Sequence, residues 1–167
     1  VKKSRAGISS PDALILFEKV LEKGADLRVR VTGGSMRPSL KGGEVLLIKK
    51  VPCSGLRRGD ILFYRDRSGS PVLHRIVGKK TDNSGSHIFL TKGDALPACD
   101  GPVTESQVLG KVWKIEKTGN RCDTAYIDMD SFPRRALGCL IAVTGLTGSR
   151  GRLFLARLLK GRSPLER

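Results

Sequence analysis

The chain has few aromatic side chains, 5% of its residues, and few acidic ones, with 16 Asp and Glu against 31 Lys and Arg. No strand-like run carries the aromatic side chains on which single-stranded bases stack, and no helix-turn-helix pattern is present, so specific nucleic-acid recognition is not expected. Histidine is limited to His74 and His87, and the four cysteines (Cys53, Cys99, Cys122, Cys139) show no C-x-x-C spacing. A zinc site is therefore not expected, and no metal or cofactor is expected. Long apolar runs are also lacking. The longest uncharged stretch, Ala136 to Ser149, has 14 residues, short of the roughly 20 that span a bilayer. The basic start Val1-Lys2-Lys3-Ser4-Arg5 leads into a segment with Asp12, Glu18 and Lys19 rather than into the apolar core of a signal sequence.

What the chain has in excess is positive charge. A formal charge of +15 over 167 residues draws a protein towards polyanions, lipid or nucleic acid alike, and equally serves as a solvated surface that keeps it soluble. The length suffices for one domain with a core and a small appendage. Four cysteines permit two disulfides, but reduced thiols of a cytosolic protein are the reading adopted.

Ser10-Pro11-Asp12 reads as a helix start, with Leu14, Phe17 and Leu21 at helical spacing and Gly24 as the stop. From Leu27 the pattern changes to short β-like runs at 27–32, 44–49, 60–64, 72–77, 87–91 and 107–116, separated by Gly- and Ser-rich turns. After residue 129 the composition shifts again. Asp130-Ser131 with Pro133 can start a helix, and residues 130–167 carry eight Lys or Arg against Asp130 and Glu166. Such a basic amphipathic tail can lie on an anionic membrane surface or dock on the domain's own core. The expected organisation is an N-terminal segment 1–26 with a short helix, a compact, coiled, mainly β domain 27–129, and a basic helical tail 130–167.

The chemistry-bearing candidates begin with Thr32-Gly33-Gly34-Ser35-Met36-Arg37-Pro38, where two glycines and a proline hold a lone serine on a turn. A serine hydroxyl needs a neighbouring base, and that base needs a third group to fix its tautomer. His74, in the strand-like Val72-Leu73-His74-Arg75-Ile76, is the better base candidate; taken alone, a half-buried strand histidine bonded to a carbonyl is the commoner reading. His87, at a loop-to-strand junction, is expected to be exposed. Lys92-Gly93-Asp94 and Asp100 follow in a Gly- and Pro-punctuated loop, where one carboxylate can orient an imidazole while the other braces the loop, or both can serve as turn caps.

Gly-Gly-Ser-Met-x-Pro, Arg58-Gly59-Asp60, His74-Arg75 and Lys92-Gly93-Asp94 followed by Asp100 occur in an order that resembles type I signal peptidases and their relatives, a clan that includes the self-cleaving LexA-type repressors. The resemblance is closer to the endoplasmic-reticulum and archaeal type, with a histidine base, than to the common bacterial type, with a lysine base. It runs from about Val31 to Val112, roughly half the chain. It implies a coiled β-barrel-like signal peptidase/LexA-type fold with Ser35 as nucleophile, His74 as general base and Asp100 as its orienting acid. Asp94, Gly34, Met36 and Pro38 fall at supporting positions, and Gly59-Asp60 and Gly110-Lys111-Val112 at strand starts that frame the site. Where the family has a serine two places before the nucleophile, this chain has Gly33, with Thr32 one place further upstream.

The expected function is a serine endopeptidase cleaving an extended peptide or precursor protein. An imidazole must be neutral to act as base, so activity is expected to fall in mild acid. The alternative is a weak or inactive peptide-binding or regulatory module on the same fold; a nucleic-acid-binding regulator is the further rival that the charge suggests. The expected partners are the peptide substrate and, through the basic tail, an anionic membrane surface. The expected location is cytoplasmic or peripheral at the membrane, the family's N-terminal anchor being either cut away or absent from a soluble relative.

Overall fold

The apolar run Ile61-Leu62-Phe63-Tyr64 suits a strand buried on both faces. In the computed structural model, which describes residues 11–118 and 124–144, it forms β3 (Ile61–Arg65). Ile61 and Phe63 point into one hydrophobic cluster with Leu14, Leu21, Met36, Leu40 and Val112. Leu62 and Tyr64 point into another with Leu56, Ile76, Phe89 and Val103.

Around it lie β1 (Leu27–Arg30), β2 (Val45–Lys49), β4 (Pro71–Thr81), β5 (His87–Lys92), β6 (Pro102–Thr104), β7 (Val108–Thr118) and β8 (Thr124–Asp128). They form one antiparallel sheet in the order β1-β2-β7-β3-β4-β5-β6. β7 joins its halves: β2 pairs along one edge, while β3 and β8 share the other, β3 reaching Lys111 and β8 running from opposite Thr118 to end opposite Lys114. The sheet curls into a half-barrel with a helix at each end of the described chain, the mainly β architecture expected from the sequence. β6 and β8 are additions that the sequence reading did not include.

The hairpin tips β3–β4 and β4–β5 use one device twice. In Asp66-Arg67-Ser68-Gly69-Ser70 and Asp82-Asn83-Ser84-Gly85-Ser86 the aspartate Oδ1 accepts the N–H groups two and four residues on, at 2.8–2.9 Å. These are Asx turns, and they fix the register of the strand that carries His74.

Helix α1 (Pro11–Glu22) opens on its proline and stops before Gly24, as the capping pattern predicts; Ser10 lies outside the described residues. Leu14, Phe17 and Leu21 face the sheet, Phe17 packing on Phe63 with ring centroids 6.2 Å apart. Helix α2 (Phe132–Thr144) matches the helix start read at Asp130-Ser131, while the basic stretch from Arg150 to Arg167 and Cys122 lie outside the described residues. Among those residues no helix is long and apolar enough to cross a membrane.

The orientation of α1 yields a paired prediction. Leu21 is 1% exposed and Leu16 59%, so Leu21→Ala should cost about 2–5 kcal/mol and Leu16→Ala less than about 0.5 kcal/mol. Urea unfolding midpoints of the two variants check it; equal midpoints would contradict the helix orientation.

Candidate active site

Ser35 sits on a turn clamped at its base. Met36 and Leu40 are both buried in the core, and the Leu40 N–H donates to Met36 O at 2.9 Å. The Arg37 N–H donates to Gly34 O at 3.1 Å, and Arg37 joins Pro38 through a cis peptide. Gly33 and Gly34 are exposed while Ser35 is half-buried, so the turn holds its serine at the surface while its apolar neighbours point inward.

The turn is braced from the side by the loop after β5. The Ala95 N–H donates to Ser35 O at 2.8 Å. A Cβ at Gly93 would lie 2.7 Å from the same oxygen, so this close approach requires glycine. The buried Lys92 ammonium donates to Gly93 O at 3.1 Å and Leu96 O at 2.6 Å, which ties the loop to itself.

β4 presents His74 opposite Leu62 of β3. Its Nε2 is 3.1 Å from Ser35 Oγ, and its Nδ1 is 2.7 Å from Asp100 Oδ2. Asp100 also accepts from Thr91 Oγ1 at 2.8 Å and from Tyr64 OH at 3.1 Å, and its own N–H donates to Thr91 O at 2.8 Å. Burial alone would raise the Asp100 pKa, but the hydrogen bonds from His74, Thr91 and Tyr64 outweigh it and hold the carboxyl below its ordinary range. Burial pushes the Tyr64 hydroxyl well up, so it remains a donor. An ionised Asp100 can only accept, which puts the proton on Nδ1 and leaves the Nε2 lone pair for the Ser35 hydroxyl. Behind Asp100 opens a cavity of about 370 Å³ lined by Tyr64, Arg67, Gly101, Pro102, Val103 and Gln107 among others.

Asp94 stands apart from the imidazole. It takes a two-pronged contact from Arg75, Nε to Oδ1 at 2.8 Å and Nη2 to Oδ2 at 2.7 Å, with both side chains at most 3% exposed. The same guanidinium donates to Gly59 O at 2.7 Å and Ser39 Oγ at 3.1 Å. Arg75 thus ties β4 to three loops, including the far side of the Ser35 turn. Of the two carboxylates in the Lys-Gly-Asp loop, then, Asp100 meets the histidine and Asp94 braces the loop. Asp60, at the start of β3, is buried; its Oδ2 accepts the Arg57 N–H at 2.9 Å and its Oδ1 lies 3.1 Å from Lys111 Nζ.

Sequence reasoning missed Tyr64, Thr91 and the role of Arg75. A single arginine inside the apolar run Val72–Val77 was the available signal, since a strand buried on both sides cannot hide a guanidinium without a carboxylate partner. His87 differs from expectation: it is half-buried, its Nδ1 2.9 Å from Thr81 Oγ1 and its ring edge-on to Phe89, far in sequence and contact from Ser35. Cys53, Cys99 and Cys139 are unpaired thiols. Among the described residues no group of His, Cys, Asp and Glu is arranged to hold a metal ion.

No protein-family model matches the chain. Among curated proteins it is similar to signal peptidase I W of Bacillus subtilis, 35% identical over 81 residues that make up 47% of this chain and 42% of that protein. It is also similar to the signal peptidase complex catalytic subunit SEC11 of Eremothecium gossypii, 34% identical over 73 residues, 43% of each chain. The human signal peptidase complex catalytic subunit SEC11C is 31% identical over 67 residues, 40% of this chain and 35% of that protein. The matches thus span less than half of each relative's length, and over this stretch the chain is signal-peptidase-like.

Two predictions follow from the buried groups. Arg75→Met strands the Asp94 carboxylate and should cost about 3–5 kcal/mol, whereas Arg75→Met with Asp94→Leu should recover most of that loss; denaturant midpoints of the single and double variants measure both. Asp100 has a lower pKa folded than unfolded, so its contribution to stability is complete above its unfolded value, near 3.9, and is lost as pH falls through the folded value. Asp100→Asn should therefore lower the melting temperature at neutral pH and flatten its decline below about pH 4, as read by calorimetry across that range.

Proposed function

We propose that this chain is a serine endopeptidase of the signal-peptidase-like type, working through Ser35, His74 and Asp100. The observation that carries the reading is the continuous hydrogen-bonded chain from Ser35 Oγ through both ring nitrogens of His74 to an ionised Asp100. The similarity to signal peptidases over the same stretch supports it. His74 Nε2 takes the hydroxyl proton as Ser35 Oγ bonds to the scissile carbonyl carbon. The peptide C–N bond then breaks as the same proton passes to the leaving amine, leaving an ester on Ser35 that water hydrolyses with His74 again as base. Asp100 keeps the Nδ1 proton in place and stabilises the imidazolium. The imidazole must be neutral to start the cycle, so acid suppresses the rate.

The oxyanion must be met by backbone. Gly33 offers no hydroxyl, whereas the Ser35 N–H makes no hydrogen bond among the described residues and is free to donate. The substrate is an extended segment of a peptide or precursor protein, and the similarity to signal peptidases makes a signal peptide the first candidate. We place the enzyme at the cytoplasmic side or peripherally on an anionic membrane, the basic residues after Asp130 supplying the attraction.

Ser35→Ala and His74→Ala should each lower turnover by about 10⁴–10⁶-fold, and Asp100→Asn by on the order of 10⁴-fold, with circular dichroism unchanged. Intact-mass detection of a serine-directed acylating probe should show one adduct in the parent and none in Ser35→Ala or His74→Ala. Cleavage that survives in Ser35→Ala would refute the mechanism. A parent that binds peptide without turnover would instead indicate a binding module, the outcome that the loss of a hydroxyl at Gly33 would then explain.

A further inference from the structure

α2 meets the catalytic half of the molecule at a glycine. Gly138 is buried while Leu137 and Cys139 on either side are exposed. A Cβ at Gly138 would lie 2.8 Å from Gly59 O and 3.1 Å from Arg75 Nη1. The facing position is equally bare: a Cβ at Gly59, whose φ is +94°, would lie 2.7 Å from Cys139 N. The helix therefore lies backbone on backbone against the carbonyl that accepts the Arg75 Nη1–H.

The rest of α2 is held to the same spot. Asp130, just before the helix, bonds Lys111 and, at 3.1 Å, Lys49. Cys139 Sγ donates to Arg58 O at 3.2 Å, and Ala142, fully buried, packs with Val77 and Leu90. Glycine in mid-helix is the poorer helix former, and alanine would favour α2 by propensity alone. Only the contact with Gly59 and Arg75 gives glycine an advantage here.

We propose that Gly138 is a positioning residue: by letting α2 lie directly on Gly59 and Arg75, it fixes the guanidinium that holds Asp94 and Ser39, and through them the turn that carries Ser35. Every link is a contact already described: Arg75 to Asp94, the Gly93–Ala95 segment to Ser35 O, and Arg75 to Ser39 on the other side of the turn. Arg75 also follows His74 in β4, so a shift of the guanidinium pulls on the strand that aims the imidazole. The catalytic consequence rests on the peptidase reading; the structural coupling does not.

The test compares Gly138→Ala with Leu137→Ala, the latter on the exposed side of the same turn. Amide hydrogen exchange should rise at least about tenfold at Ala95 in Gly138→Ala while β1 and β2 keep their protection, with kcat for a cleaved peptide falling by about 10–100-fold and KM within about twofold. Leu137→Ala should change neither. Parent-like exchange and kcat in Gly138→Ala would overturn the proposal, and so would a loss of protection spread equally over β1 and β2. Exchange of the parent in graded denaturant needs no variant: Ala142 and Ala95 should open as one unit, and independent opening would overturn the coupling. A parent without turnover, in which Ala95 exchange still responds to Gly138→Ala, would uphold the seat and remove only the peptidase reading.

Discussion

A guanidinium sealed from water imposes conditions on everything near it. Arg75 cannot stay charged and buried unless its donors find acceptors, and the acceptors come from three separate segments: Asp94 after β5, Gly59 before β3 and Ser39 beyond the Ser35 turn. Pulling Asp94 away exposes an unpaired charge in a low-dielectric interior, a cost of several kcal/mol, and pulling either neutral acceptor away leaves a buried N–H unsatisfied, at about 1–3 kcal/mol. The β3–β4 pair, the serine turn and the loop after β5 are therefore held in one arrangement by a single side chain. The hydrophobic clusters supply the driving force for collapse, but they are non-directional and would tolerate small slips; the ion pair does not.

The two aspartates of the Lys-Gly-Asp loop divide what a single carboxylate could not do. Asp94 takes one bond from Arg75 on each of its oxygens and makes no contact with the imidazole. Asp100, six residues on, receives His74 together with hydroxyls from β3 and β5. Those hydroxyls come from buried residues on interior strands of the sheet. They keep Asp100 ionised and its Oδ2 in place, so that the tautomer of His74 follows from the strand register.

The parts of this arrangement that depend on local pattern were legible in the sequence. Leu14, Phe17 and Leu21 mark the buried face of α1, the apolar run at β3 marks a strand, and the order of Ser35, His74 and the two aspartates marks the candidate site. β6 and β8 were not legible, because three and five residues without strong alternation become strands only by pairing with Ile88–Leu90 and with β7. Tyr64 was hidden for a different reason: an aromatic in a buried strand reads as core, and its hydroxyl matters only because the loop after β5 brings Asp100 to it. The seat of α2 was least visible of all, since Gly138 in a sequence is a weak helix residue until Gly59 and Arg75 are found beneath it.

The serine turn also explains why so much bracing converges on one place. With glycine at position 33, a hydroxyl cannot share the developing negative charge, and on the peptidase reading the Ser35 N–H must meet it. A side-chain donor can adjust by rotation, whereas a backbone donor points only where its turn points. The turn is accordingly fixed at its base by Met36 and Leu40, at its carbonyl by Ala95 and Gly93, and at its far end by Arg75 through Ser39. On that reading, a turn held from three sides is what a backbone oxyanion donor requires.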